Sequence, residues 1–190
     1  MIDPENITAY ERTTTELEEF LLNAITFAGK NARQQAQKMH ELLFHEYHPS
    51  PFHAIRMWKK RGTLRRKLER VRIGKYSLLC ASFSELAHSA INLKTCTVEE
   101  LVKFPGIGHK TARLFILHSR RRQEIAVIDT HLLKEMRHLK LTNLRATPTD
   151  KKYFELEKKL IAHLKKNGIT DFAEYDLATW KKYSKGSKIT

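Results

Sequence analysis

The residues best suited to chemistry in this 190-residue chain are Lys110 and Asp129. Lys110 falls in the first turn of a helix starting at His109, directly behind Pro105-Gly106-Ile107-Gly108. A lysine amine attacks carbon only when neutral, so its surroundings must disfavour the ammonium. The positive end of a helix dipole does so, and so does net positive charge nearby. Asp129 follows the apolar run Ile125-Ala126-Val127-Ile128 and stands at the start of the next helix. A carboxylate there can stabilise positive charge developing at the attacked carbon and can assist deprotonation of the amine. Each residue alone has a plainer reading, Lys110 as a solvated or phosphate-contacting side chain and Asp129 as an N-cap. Together, behind this hairpin, they favour a catalytic pair.

Two helices and the turn between them must position the pair. The capping box Thr97-Val98-Glu99-Glu100 opens a helix through Leu101, Val102 and Phe104, and a second runs from His109 to Arg122. Gly106 and Gly108 permit backbone conformations and a close approach that a side chain would block. Ile107 is expected to plug the core from the hairpin tip. The free N–H groups at the second helix start, where His109 sits, suit a phosphate. This helix-hairpin-helix implies sequence-independent binding of DNA backbone, or, read plainly, a tight turn between core helices.

Helical periodicity dominates elsewhere, with no convincing alternating strand. Thr13-Thr14-Thr15-Glu16 caps a helix through Leu17, Phe20 and Phe27, Gly29 breaks it, and Asn31 caps the next, through Met39 and Leu43. Helices are also expected from Phe52 to Lys60, Leu64 to Ile73, Tyr76 to Ala90, Asp129 onward, Pro148 to Lys165 and Phe172 to Tyr183.

Thirty-five Lys and Arg against twenty-one Asp and Glu give +14 at pH 7, which calls for a polyanionic partner, nucleic acid before membrane. With only Cys80 and Cys96, a four-cysteine zinc or iron–sulfur site is excluded, and no His pattern completes a metal site. Cys80 reads as core. No apolar run approaches membrane-helix length, and the acidic first residues do not read as a secretory signal, so a cytoplasmic, nucleoid-associated location is expected.

From Thr97 to Arg137 the sequence resembles the endonuclease III superfamily of helix-hairpin-helix DNA glycosylases. Members share the Pro-Gly-Val/Ile-Gly hairpin, a catalytic position behind it, and an Asp after an apolar run. In the bifunctional members that position is a Lys, which here is Lys110; Asp129 matches the essential carboxylate. Tyr153-Phe154-Glu155-Leu156-Glu157, then Glu174-Tyr175-Asp176-Leu177-Ala178-Thr179-Trp180 and a basic tail, look like the small archaeal-type 8-oxoguanine DNA glycosylases that lack a cluster. In that group the chain often finishes on a Lys that contributes to base recognition; here it reads Ser187-Lys188-Ile189-Thr190.

The resemblance implies a bifunctional glycosylase and AP lyase of base excision repair. It would excise a damaged base, foremost 8-oxoguanine, through a Lys110 imine and cut the strand by β-elimination. The expected partner is double-stranded DNA carrying that base, and the expected state a monomer. No cofactor is required, though the hairpin carbonyls could hold a monovalent cation. The expected fold is all-α, two helical lobes with the cleft between them: residues 24–123 as a barrel-like lobe ending in the hairpin, residues 1–23 and 124–190 as the second. Lys30 and Asn31 stand where related enzymes penetrate the duplex, or form a capped turn. Phe172 and Trp180 could stack on the flipped base and Asp176 could pair with its edge; as plain residues they are core or solvated. Runs such as Lys59-Lys60-Arg61, Arg65-Arg66-Lys67 and Arg120-Arg121-Arg122 are mostly solvated. The same chemistry on another oxidised or modified base, and a non-enzymatic helix-hairpin-helix DNA-binding protein, are the alternatives.

Overall fold

The structure, a computed structural model, describes residues 1–45 and 47–184. They form ten helices and no strand. In chain order these are α1 (Thr14–Phe27), α2 (Ala32–Phe44), α3 (Pro51–Lys60), α4 (Leu64–Arg70) and α5 (Tyr76–His88). Then come α6 (Val98–Leu101), α7 (His109–Ser119), α8 (Thr130–His138), α9 (Asp150–Lys166) and α10 (Phe172–Ser184). The chain is all-α. No described helix is long and apolar enough to cross a membrane.

Local chemistry sets most helix starts. Thr13 and Thr97 each close a reciprocal capping box, with Glu16 and Glu100, and Asn31 accepts from the backbone N–H of Gln34. Ser50 caps α3 with Pro51 at its first position, where the missing N–H costs nothing. Several ends fall earlier than the periodicity predicts. α4 stops at Arg70 rather than Ile73, since Arg72 turns left-handed at φ 52°. α6 is one turn, because the chain must already bend at Phe104. α7 ends at Ser119, before Arg122 at φ 56°. Apolar periodicity continues through such turns while the backbone does not.

The buried residues make one continuous cluster. α1 packs on α2, α3 and α7; α3 packs on α5 and α4; α10 packs on α7 and α8. Phe20 of α1 and Phe115 of α7, both fully buried, meet with ring centroids 5.6 Å apart. α7 is the axis of the arrangement. Every residue from Thr111 to Ser119 is buried, so only its first turn, His109 and Lys110, reaches toward solvent. A helix enclosed on all sides is the most rigid mount available to a functional group at its tip.

Candidate active site

The hairpin brings α6 onto α7 with Ile107 inserted as a plug, 3 % exposed. Gly106 has φ 78°, and a Cβ there would stand 3.2 Å from Leu78 of α5. The left-handed backbone favours glycine, and a side chain would also press on Leu78. Gly108 differs from expectation: its backbone is ordinary extended chain at φ −91°, and a Cβ would meet nothing within 4 Å. What it leaves open is the outer side of the α7 N-terminus, whose first N–H groups have no side-chain cap. His109 lies against Phe154 of α9, ring centroids 4.9 Å apart, and Arg113 Nη1 stands 3.2 Å from its Nδ1.

Lys110, half-buried, projects from this turn and forms no ion pair with a described residue. Asp129 is the N-cap of α8, its Oδ1 accepting from the N–H groups of His131 at 2.9 Å and Leu132 at 2.8 Å. Cap and candidate catalytic carboxylate are thus the same side chain, and the cap bonds fix its orientation.

The apolar link that delivers Asp129 is held from α9. Tyr153, fully buried, donates its hydroxyl to the carbonyl of Ala126 and accepts from the N–H of Ile128, both at 2.9 Å. Burial pushes its phenol far up, so it stays neutral and keeps both roles. Glu157 Oε1 accepts from the N–H of Ala126 at 2.8 Å. The same carboxylate takes a bidentate pair of bonds from Arg113 of α7, at 2.7 and 2.8 Å. The Arg113 guanidinium also stacks over Tyr153, 4.7 Å from its ring centroid. One buried clamp therefore ties the helix carrying Lys110 to the link carrying Asp129. The sequence did contain a partial sign of it: Glu157 sits on the apolar stripe of α9, Tyr153-Leu156-Leu160-Leu164, and Arg113 stands between the apolar residues Ala112 and Leu114-Phe115-Ile116-Leu117 of α7. Buried charges in such places need partners.

Asp176 on α10 lies within electrostatic reach of both Lys110 and Asp129. Its Oδ2 is 3.0 Å from Nε2 of His118, a fully buried residue of α7. Trp180, half-buried, lies with its ring edge-on to His131, 6.5 Å between centroids. Phe172 is 6 % exposed and packed into the core, so no ring face is open for stacking. Lys185 to Thr190 of the basic tail lie outside the described residues.

Residues 53–169 match the family model described as 8-oxoguanine DNA glycosylase. The chain belongs to that family. It is accordingly a helix-hairpin-helix DNA glycosylase of the 8-oxoguanine type, a DNA-repair protein whose partner is DNA. Comparison with curated proteins and with solved structures finds no match.

Around the hairpin, the 8-oxoguanine glycosylase scaffold gathers further cations. Leu78, against Gly106, is in the first turn of α5, and Lys75 immediately precedes that helix. Lys75 donates to the carbonyl of Ala28 at 2.7 Å, and the ammonium of Lys30 lies 3.6 Å from where a Cβ on Gly74 would stand. Lys30 is exposed, while Asn31 beside it spends its side chain capping α2. The expected duplex-facing turn, the α4–α5 turn and the hairpin thus form a connected series. Arg120, by contrast, is structural: it donates to the carbonyls of Cys96 at 2.6 Å and Leu93 at 3.0 Å. Cys80, read as core, is half-buried against it.

Proposed function

We propose that this glycosylase is bifunctional, excising 8-oxoguanine from duplex DNA through a Lys110 imine and then cutting the strand by β-elimination. The observation that carries this reading is Lys110 at the open tip of a fully buried helix, clamped through Arg113 and Glu157 to the link presenting Asp129.

In this mechanism the damaged nucleotide leaves the stack, at a cost of roughly a few kcal/mol. The hairpin N–H groups and the Lys30 and Lys75 series grip backbone phosphates. The neutral Lys110 amine attacks the anomeric carbon as the glycosidic bond breaks and its electron pair leaves with the base. Asp129 stabilises the positive charge developing on the sugar, its bonds to the α8 N–H groups keeping it aimed without reorganisation. Ring opening gives the imine, whose electron demand acidifies the C2′ proton. Loss of that proton expels the 3′ phosphate. The cleft lies between two lobes, residues 24–123 and residues 1–23 with 124–190, and the nearest functional type is the small archaeal one lacking a cluster. Asp129 argues against a mere DNA-binding module, because gripping phosphates does not need a carboxylate at that point.

Borohydride added during reaction with abasic-site duplex should link the protein covalently to DNA. Lys110→Gln should abolish the link while retaining DNA binding; equal linking and cleavage by the variant would remove Lys110 as the nucleophile. A panel of duplexes, each with a single damaged base, should show fastest excision of 8-oxoguanine.

A further inference from the structure

A lysine ammonium that is to attack carbon must first hand a proton to another group. Asp129 is committed, one oxygen already accepting two backbone N–H bonds at the start of α8. Asp176 is placed differently. Its side chain, on α10, is 14 % exposed, and its Oδ2 lies 3.0 Å from Nε2 of His118. The other ring nitrogen of His118, Nδ1, lies 2.7 Å from Oγ1 of Thr8, so both ring nitrogens are engaged. Residues before α1 seal the far side of the imidazole. The N–H of Ala9 and Nη1 of Arg12 both donate to the His118 carbonyl, at 3.0 and 2.9 Å.

A wholly buried imidazole is costly unless its nitrogens are hydrogen-bonded, and His118 has a partner on each side. It makes sense as part of a relay. Thr8, His118 and Asp176 form a hydrogen-bonded row running from the N-terminal segment through α7 to the partly exposed Asp176 side chain of α10. His118 of α7 touches Asp176, and Lys110 of α7, Asp129 of the link and Tyr153 of α9 are the further charged or titratable groups that interact with it electrostatically. Burial pushes the Asp176 carboxyl up, more than the His118 contact pulls it down; Asp129 adds to the rise and Lys110 opposes it. Two carboxylates near one amine, held in contrasting surroundings, divide into a fixed charge and a proton carrier.

We propose that Asp176, oriented by His118 and Thr8, accepts the proton that Lys110 loses before it attacks the sugar, directly or through one water. This rests on the reading of Lys110 as nucleophile. The N–H bond of the ammonium breaks, its electron pair stays on Nζ, and the proton adds to the Asp176–His118 pair. No oxidant, reductant or metal enters the step. His118 and Thr8 are positioning residues; they hold the acceptor and spread the proton's charge.

The test is single-turnover imine formation on abasic-site duplex, where no base need leave, trapped with cyanoborohydride from about pH 6 to about pH 9, below the ordinary lysine range. The isosteric Asp176→Asn should form the imine about a hundredfold more slowly near neutral pH, as for loss of a positioned base. Its deficit should shrink as pH rises and solvent removes the proton instead. His118→Gln and Thr8→Val should show smaller deficits with the same alkaline displacement. Thermal melts and binding to duplex with a tetrahydrofuran abasic analogue verify folding; if Asp176→Asn does not fold, the other two variants decide.

If Asp176 contributed only a negative charge, its loss would free the amine at lower pH. Imine formation by Asp176→Asn as fast as the parent or faster near neutrality therefore overturns the proposal. Unchanged pH profiles in both His118→Gln and Thr8→Val overturn the relay. Failure of the parent protein to be trapped would instead overturn the nucleophile assignment, so the two failures are distinguishable.

Discussion

At the scale of single residues, Asp129 separates an enzyme from a binder. Asn caps a helix about as well as Asp, so Asp129→Asn should keep the bonds to His131 and Leu132 and leave the start of α8 intact. It removes the negative charge aimed at the sugar. Single-turnover excision of 8-oxoguanine should fall about a hundred- to a thousandfold, as when one preorganised electrostatic group is lost. The melting temperature and duplex affinity should stay near those of the parent. Excision within a few-fold of the parent would reduce Asp129 to a cap. Lys110, Asp129 and the hairpin stand out in the sequence because their signal is local: glycines, a plug and a charged residue within one short stretch. The reason for Gly106 was legible in the same way, whereas that for Gly108 was not, since open space around a residue leaves no trace in its neighbours. Phe172 shows the opposite failure. An aromatic on a terminal helix looks the same in sequence whether it faces a cleft or the core.

At the scale of elements, capping boxes and periodicity located every helix, and the ends shifted where Arg72 and Arg122 take left-handed conformations. The clamp between α7, α9 and the link was out of reach, because nothing local says that Arg113 meets Glu157. That clamp makes two separable predictions. Glu157→Ala leaves a 3 % exposed guanidinium without its partner and should cost about 3–5 kcal/mol in a denaturant titration. The double change Arg113→Met with Glu157→Leu removes both charges and should recover much of that loss. It should not recover excision, because the Ala126 N–H then loses its acceptor on Glu157 and the link presenting Asp129 keeps only the Tyr153 bonds from α9. A misplacement of about 1 Å near reacting groups can cost about a hundredfold in rate. A double variant that regained both stability and excision would show that the clamp serves the fold only.

At the scale of the whole molecule, the charge of +14 was visible at once, and its distribution was not. Arg120 turns inward to hold the chain at Leu93 and Cys96, and Arg113 is buried in the clamp, so part of the basic excess is spent inside the fold. What remains near the hairpin comes from segments distant in sequence. Lys30 follows α1, Lys75 precedes α5, and Gly106 rests on Leu78 one turn further along α5. If this series grips the backbone, duplex affinity must carry the mark of counterion release. The logarithm of the binding constant should fall linearly with the logarithm of salt concentration, losing about three orders of magnitude between about 50 and 200 mM if some six phosphates are neutralised. Lys30→Ala should weaken binding to undamaged and damaged duplex alike and reduce that slope by about one. The exposed Lys59 and Lys60 at the end of α3 are the control, and alanine at both should leave the slope unchanged. Fluorescence anisotropy across a salt series on a non-cleavable duplex measures all three proteins. A slope that dropped equally for Lys30→Ala and for the α3 pair would mean that DNA senses the net charge of the protein and not a track laid out by the hairpin and its neighbouring turns.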